Sequence, residues 1–308
     1  MEAQARGKVI VVGEHAVVYG VPAIAAGIDR GARASARPAS AGASSLEVRL
    51  AEGEPIRVDE NEEAEPLGRA FGALMASARK KREVGALDVM VSTDLPAGAG
   101  LGCSAALGVA VARAVCGAVT DDEAREHAMA WERVFHGNPS GIDAAVAALG
   151  GTLLYRRTDG ESVLEPIAGR APLVFAVGHS GSASSTKTMV DSVARQRAAQ
   201  PAVTQKTFDA IDAVVRNARL AIEAGDVRAL GKLLDLNQML LAGLLLSTQE
   251  IESMCDAARE SGALGAKLTG AGGGGCVIAL TEARADAERV LRAWSELGRT
   301  GFVAEVQS

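Results

Sequence analysis

Apolar and polar positions alternate in short blocks near the amino terminus. The run Lys8 to Val12, closed by Gly13, reads as a strand, and β-type stretches follow at Ala32 to Ala36, Leu46 to Leu50 and Ile56 to Val58. The period then lengthens: a helix is expected from about Glu63 to Lys81, then the alternating strand Leu87 to Thr93, then a dense apolar stretch, Ala105 to Val119, that fits a buried helix. Thr120 with Glu123 forms a capping-box signal for a further helix, in which Ala124, Ala128, Trp131 and Phe135 share one stripe that ends at Gly137. Asn138-Pro139 is expected to open another, closed by Gly150-Gly151. After a strand at Gly151 to Tyr155, the turn-rich stretch Arg156 to Arg170 is the best boundary candidate. Beyond it come strand Leu173 to Val177, three or four helices between Ser185 and Ser261, strand Cys276 to Leu280, a helix around Ala285 to Leu297 and strand Phe302 to Val306. That order predicts an α+β protein whose second half is a split β-α-β arrangement. Two domains are expected, 1–168 and 169–308.

Composition narrows the class. At 308 residues and 48% hydrophobic, the chain can bury a core without disulfides or structural metal. Net charge is −6 with the signs mixed, so no basic stripe points to nucleic acid, and no apolar run or leader points to a membrane. A cytoplasmic location is the expectation. The four cysteines, Cys103, Cys116, Cys255 and Cys276, form no C-x-x-C pair and read as reduced thiols, and the four histidines show no metal-ligand spacing.

Chemistry concentrates in two glycine-rich segments. Pro96-Ala97-Gly98-Ala99-Gly100-Leu101-Gly102-Cys103-Ser104 joins a strand to a helix, and alternate glycines ahead of a helix start make an anion cradle suited to phosphate. No lysine stands at that helix entry, so this is not a Walker A loop. Gly102-x-Ser104-x-Ala106 also falls one residue short of a nucleophile elbow, and Ser104, Asp143 and His179 run in the α/β-hydrolase order, which keeps a serine hydrolase open as an alternative. The second segment, Lys267 to Gly275, precedes strand Cys276 to Leu280, and its four consecutive glycines fit either a flexible tip or a close approach of ligand or backbone. Glu132, flanking the Trp131 stripe, and Asp143, among small residues after Pro139, are the carboxylates best placed for chemistry.

Taken in order, Gly7-Lys8-Val9-Ile10, Gly13-Glu14-His15-Ala16-Val17-Val18-Tyr19-Gly20, Pro96 to Ala106, His136 to Asp143 and Lys267 to Gly275 resemble the motifs of the GHMP kinase superfamily. The second and fourth strings are most similar to members acting on mevalonate. The resemblance implies an amino-terminal domain of the ribosomal S5 domain 2 type and a ferredoxin-like carboxy-terminal domain, with ATP and Mg²⁺ as cofactors and phosphorylation of the mevalonate C5 hydroxyl as the activity. It further implies Asp143 and Lys8 as catalytic residues, Ser104 and Glu132 as magnesium ligands, and Pro96, Gly98, Ala99, Gly100, Leu101, Gly102, Cys103, Ser104, Gly270 and Gly272 as the nucleotide site. His15, Thr186 and Ala271 match positions that contact the acceptor, and a homodimer is a frequent assembly among similar enzymes. Phosphomevalonate, homoserine or a sugar are the alternative acceptors, and a nucleotide-binding module without turnover is the non-enzymatic alternative. Three positions depart from the pattern: Arg6 stands where proline is frequent, Cys103 takes the first place of a serine pair, and Gly178-His179-Ser180-Gly181 replaces an Asp-Thr-Gly type string.

Overall fold

The structure, a computed structural model, describes residues 2–306 apart from 40–41, 52, 97, 137–138, 159–160 and 183–184. Its chain divides into two compact units. The first holds Met1–Lys8, Asp29–Ala97 and Leu101–Gly150, and the second holds Val9–Ile28, Gly98–Gly100 and Gly151–Ser308. The division is interleaved, unlike the single break expected near residue 168. The physical reason lies in two long strands, β1 (Glu2–Val12) and β2 (Ala23–Pro38), each of which runs through residues of both units. Only their most apolar or alternating portions stood out in the sequence; the alanine- and glycine-rich start of β2 did not.

In the first unit, β2 from Ala32 to Pro38 pairs antiparallel with β5 (Leu87–Thr93), β5 pairs parallel with β3 (Ser45–Arg49), and β3 pairs antiparallel with β4 (Ile56–Asp59). Alternation sets the faces: Val89, Val91 and Thr93 are buried while Met90 and Ser92 are exposed. Helices α1 (Pro66–Arg79), α2 (Cys103–Cys116), α3 (Asp121–His136) and α4 (Ile142–Leu149) pack with one another, α1 and α2 each against α3 and α2 against β5. Small residues let α2 pack closely, and Gly108 lets Trp131 approach, since a Cβ there would lie 3.0 Å from the indole. The capping box at α3 is present: the Glu123 backbone N–H donates to Thr120 Oγ1 at 3.2 Å, and the Thr120 N–H to Glu123 Oε2 at 3.0 Å. Ala124, Ala128 and Trp131 of the expected stripe are buried, whereas Phe135 is 39% exposed. The expected stop at Gly137 and start at Asn138 lie outside the described residues. Helix α4 begins at Ile142, later than Pro139, after Gly141 adopts φ +84°.

In the second unit, β2 from Ala23 to Ala26 pairs antiparallel with β6 (Thr152–Thr158), which forms a hairpin with β7 (Glu161–Ile167). Much of the turn-rich stretch Arg156 to Arg170 is therefore paired strand inside this unit. A four-stranded sheet follows, built from β8 (Leu173–His179), β9 (Gly265–Thr269), β10 (Cys276–Thr281) and β11 (Thr300–Val306) in the order β11-β8-β10-β9, antiparallel throughout. This is the split β-α-β, ferredoxin-like order, with β9 as the strand that the periodicity missed. Among the described residues the helices α5 (Thr186–Ala199), α6 (Pro201–Ala224), α7 (Val227–Gly243), α8 (Gln249–Glu260) and α9 (Arg284–Glu296) accompany it, and α7, α8 and α9 pack on the sheet. Asp226 and Thr248 cap α7 and α8 by accepting from the Ala229 and Ile251 N–H groups. Among the described residues no single helix is long and apolar enough to cross a membrane.

Candidate active site

The Lys8 side chain is 7% exposed, and its Nζ lies 3.3 Å from Asp143 Oδ1. Two features hold it. Its backbone N–H donates to the Leu101 carbonyl at 2.9 Å, and Gly102, at φ +73°, leaves the room its stem occupies, since a Cβ there would fall 2.9 Å from Lys8 Cγ. Asp143 sits in the first turn of α4 with a side chain 36% exposed, so the carboxylate is both paired and open to a solute.

A second pair lies in the same unit. Ser104, in the first turn of α2, donates through Oγ to Glu132 Oε1 of α3 at 2.5 Å, and accepts from the Trp131 indole N–H at 3.3 Å. Burial raises the Glu132 carboxyl above its ordinary range, partly offset by the Ser104 hydrogen bond and by His136, whose Nε2 is 3.7 Å away; Asp143 and Lys8 also act on its charge, in opposite directions. A buried carboxylate and a hydroxyl, both hard oxygen donors, fit Mg²⁺, which is held through one or two carboxylates with phosphate oxygens and water completing its shell. Trp131 is the partner that sequence reading missed, because its place on an apolar stripe masked the polar edge of its ring.

The first glycine segment alternates: Ala99 and Leu101 are buried, while Gly98 and Gly100 are exposed at φ +72° and +78°, with nothing within 4 Å of where a Cβ would stand. Pro96 is half-buried at its start, and Gly102, Cys103 and Ser104 lead into α2. Burial pushes the Cys103 thiol up, so it is no thiolate nucleophile. The hydrolase constellation is not a hydrogen-bonded triad: Ser104 bonds Glu132 and Trp131, Asp143 pairs with Lys8, and His179 Nδ1 accepts from the Gly181 N–H at 3.0 Å.

In the second unit His15 Nε2 lies 2.7 Å from the Ala271 carbonyl. A carbonyl only accepts, so Nε2 carries the hydrogen; burial lowers the His15 pKa, leaving a neutral ring with its lone pair on Nδ1. The second glycine segment is no loose tip. A Cβ at Gly272 would be 2.4 Å from the Leu246 carbonyl oxygen and one at Gly274 2.7 Å from that of Ser182, and the Gly273 N–H donates to Leu246 O at 2.7 Å. Gly270 has open space, and Thr186 is exposed at the start of α5. Glu14, Lys267 and Asn237, none of them assigned a role from the sequence, are joined and buried here: Lys267 Nζ donates to Glu14 Oε1, and Asn237 Nδ2 to Glu14 Oε2 at 3.1 Å. A lysine within a short apolar strand, Gly265 to Thr269, was the available signal.

With this geometry in hand, comparison with known proteins defines the class first. Residues 67–151 match the GHMP kinases N terminal domain and residues 218–300 the GHMP kinases C terminal domain, and the chain belongs to the GHMP kinases. More particularly, it is 36% identical to a mevalonate kinase of Aeropyrum pernix, over 99% of this chain and 95% of that one, and 36% identical to a mevalonate kinase of Thermococcus sibiricus, over 90% and 88%. Among solved structures, mevalonate kinase of L. major in complex with R-mevalonate superposes with a TM-score of 0.88 at 30% identity, covering 100% of this chain and 96% of that one.

Proposed function

We propose that the chain transfers the γ-phosphoryl group of ATP to the C5 hydroxyl of mevalonate, giving 5-phosphomevalonate for isoprenoid precursor synthesis in the cytoplasm. ATP-dependent phosphorylation is the chemistry of its family, and the near full-length similarity to mevalonate kinases supports the acceptor. The observation that carries the chemistry is the Lys8–Asp143 pair, a screened ammonium against a half-open carboxylate.

Phosphoryl transfer asks the protein chiefly to position donor and acceptor and to balance charge. Asp143 takes the C5 hydroxyl proton as the oxygen attacks the γ-phosphorus, the new C–O–P link forms, and the bond to ADP breaks. Lys8 keeps Asp143 oriented and offsets charge on the attacking oxygen. Gly98 to Ser104 serve the phosphates with backbone N–H groups and the start of α2. Ser104 and Glu132 would hold Mg²⁺, which when bound neutralises phosphate charge. Gly270 and Gly272 belong to the nucleotide side, and His15, Thr186 and Ala271 to mevalonate, by motif. The neutral His15 ring offers Nδ1 as an acceptor for a hydroxyl of the substrate. The test is ³¹P NMR of the purified chain with ATP, Mg²⁺ and mevalonate: a new phosphomonoester coupled to the C5 methylene, formed one for one with ADP, is expected. ATP left intact in the presence of mevalonate would sink the reading.

A further inference from the structure

The Glu14–Lys267 pair has no part in the chemistry above, yet both side chains are almost wholly buried, 1% and 0% exposed. A buried ion pair is a weak stabiliser, since desolvation offsets most of the attraction, so stability alone does not account for it. Its location does. Glu14 immediately precedes His15, and Lys267 lies on β9, which leads through Thr269 into the segment carrying Ala271.

The backbone between Glu14 and Ala16 is held in a rare shape. His15 has φ 59° and ψ −49°, and the Ala16 N–H donates to the Glu14 carbonyl at 2.7 Å, which closes a three-residue γ-turn of the positive-φ kind. A residue with a Cβ keeps such a turn only where its surroundings over-determine it. Here they do, at Glu14 and Ile10 ahead of His15 and on β9. Glu14 is gripped by Lys267 and Asn237; Lys267 Nζ also donates to the Leu268 carbonyl at 2.5 Å; and the Leu268 N–H donates to Gln238 Oε1 at 2.9 Å. Upstream, Thr269 Oγ1 accepts from the Ile10 N–H at 2.8 Å and donates to the Ile10 carbonyl at 3.0 Å. Asn237 is fully buried, and its Oδ1 has no partner among the described residues while its Nδ2 holds Glu14.

We propose that Glu14, Lys267 and Asn237 form a buried positioning unit that fixes the His15 turn against the Ala271 carbonyl, and so presets the binding of the acceptor alcohol. They are positioning residues, acting on substrate only through His15 and Ala271. The inference rests on the assignment of those two residues to mevalonate.

The test is a set of variants assayed with mevalonate and with ATP as the varied substrate, active protein being titrated in each. Asn237→Ala removes one grip on Glu14. Its KM for mevalonate is expected to rise about fivefold or more while its KM for ATP stays within about twofold, since only acceptor binding is loosened. The double variant Glu14→Gln/Lys267→Met removes both charges at similar volume, which a folded core tolerates, and decides the matter should Asn237→Ala not fold. It is expected to show the same split with an undiminished melting temperature. A purely structural role would lower melting temperature and active fraction but leave both KM values in place, and that result in the folded variants overturns the proposal. Failure of the unaltered chain to phosphorylate mevalonate would instead remove the reading beneath it, so the two failures are told apart.

Discussion

Glu132 answers to two opposing demands. In the proposed role its carboxylate is the hard anion that would hold magnesium, but burial raises its pKa, so the ionised form is held at a cost to stability. The folded state binds the proton more tightly than the unfolded one. Its contribution to stability is therefore fully present below pH 4.5 and lost as pH rises from there through the folded value. Glu132→Gln should be more stable to unfolding than the unaltered chain at pH 8 without magnesium, by about 0.5–2 kcal/mol, and no more stable at pH 4. The same variant should require more Mg²⁺ for half-maximal activity; an unchanged magnesium titration would remove Glu132 from the metal's surroundings. For Asp143→Asn the expectation is a fall in kcat of about 10²–10⁴-fold with nucleotide affinity intact, checked by steady-state assay and nucleotide titration. Gly102→Ala would push a Cβ into the Lys8 stem at positive φ. About a hundredfold loss in kcat/KM is expected from so small a displacement.

At the scale of elements, the end of α7 holds a leucine where the backbone favours glycine. The Leu246 N–H reaches back to the Leu241 carbonyl at 3.2 Å and the Leu245 N–H to Ala242 at 2.9 Å, a Schellman closure with Leu245 at φ 57° and 73% exposed. The left-handed conformation costs a branched residue about 1–2 kcal/mol, of which glycine would return all but about 0.5–1 to the entropy of the unfolded chain. Leu245→Gly should therefore raise the melting temperature by about 1–3 °C in a calorimetric scan, with KM values unaltered. Elements with strong periodicity or caps were legible in the sequence: β5 at its residues, α3 from its capping box, β10 from its apolar run. Strand β9 was hidden because Lys267 breaks a five-residue apolar pattern and glycines flank it. The same lysine, buried by its Glu14 partner rather than solvated, is what a period count has no means to register.

Across the whole molecule, the order of motifs pointed to the family that the chain belongs to, and of the residues it singled out Lys8 pairs with Asp143 and Ser104 with Glu132. The path of the chain was less legible. Two strands, each passing through residues of both compact units, run against a division by a single cut, and residues 156–158 pair as strand with 161–163 inside the stretch 156–170. Fold alone leaves the acceptor open, because one fold hosts many substrates and only the site discriminates among them. The most direct measurement is coupled ADP release with mevalonate, phosphomevalonate, homoserine and galactose compared at equal concentration. A kcat/KM for mevalonate at least about a hundredfold above the others is predicted. A preference for any other alcohol, or ADP release independent of all four, would contradict the account.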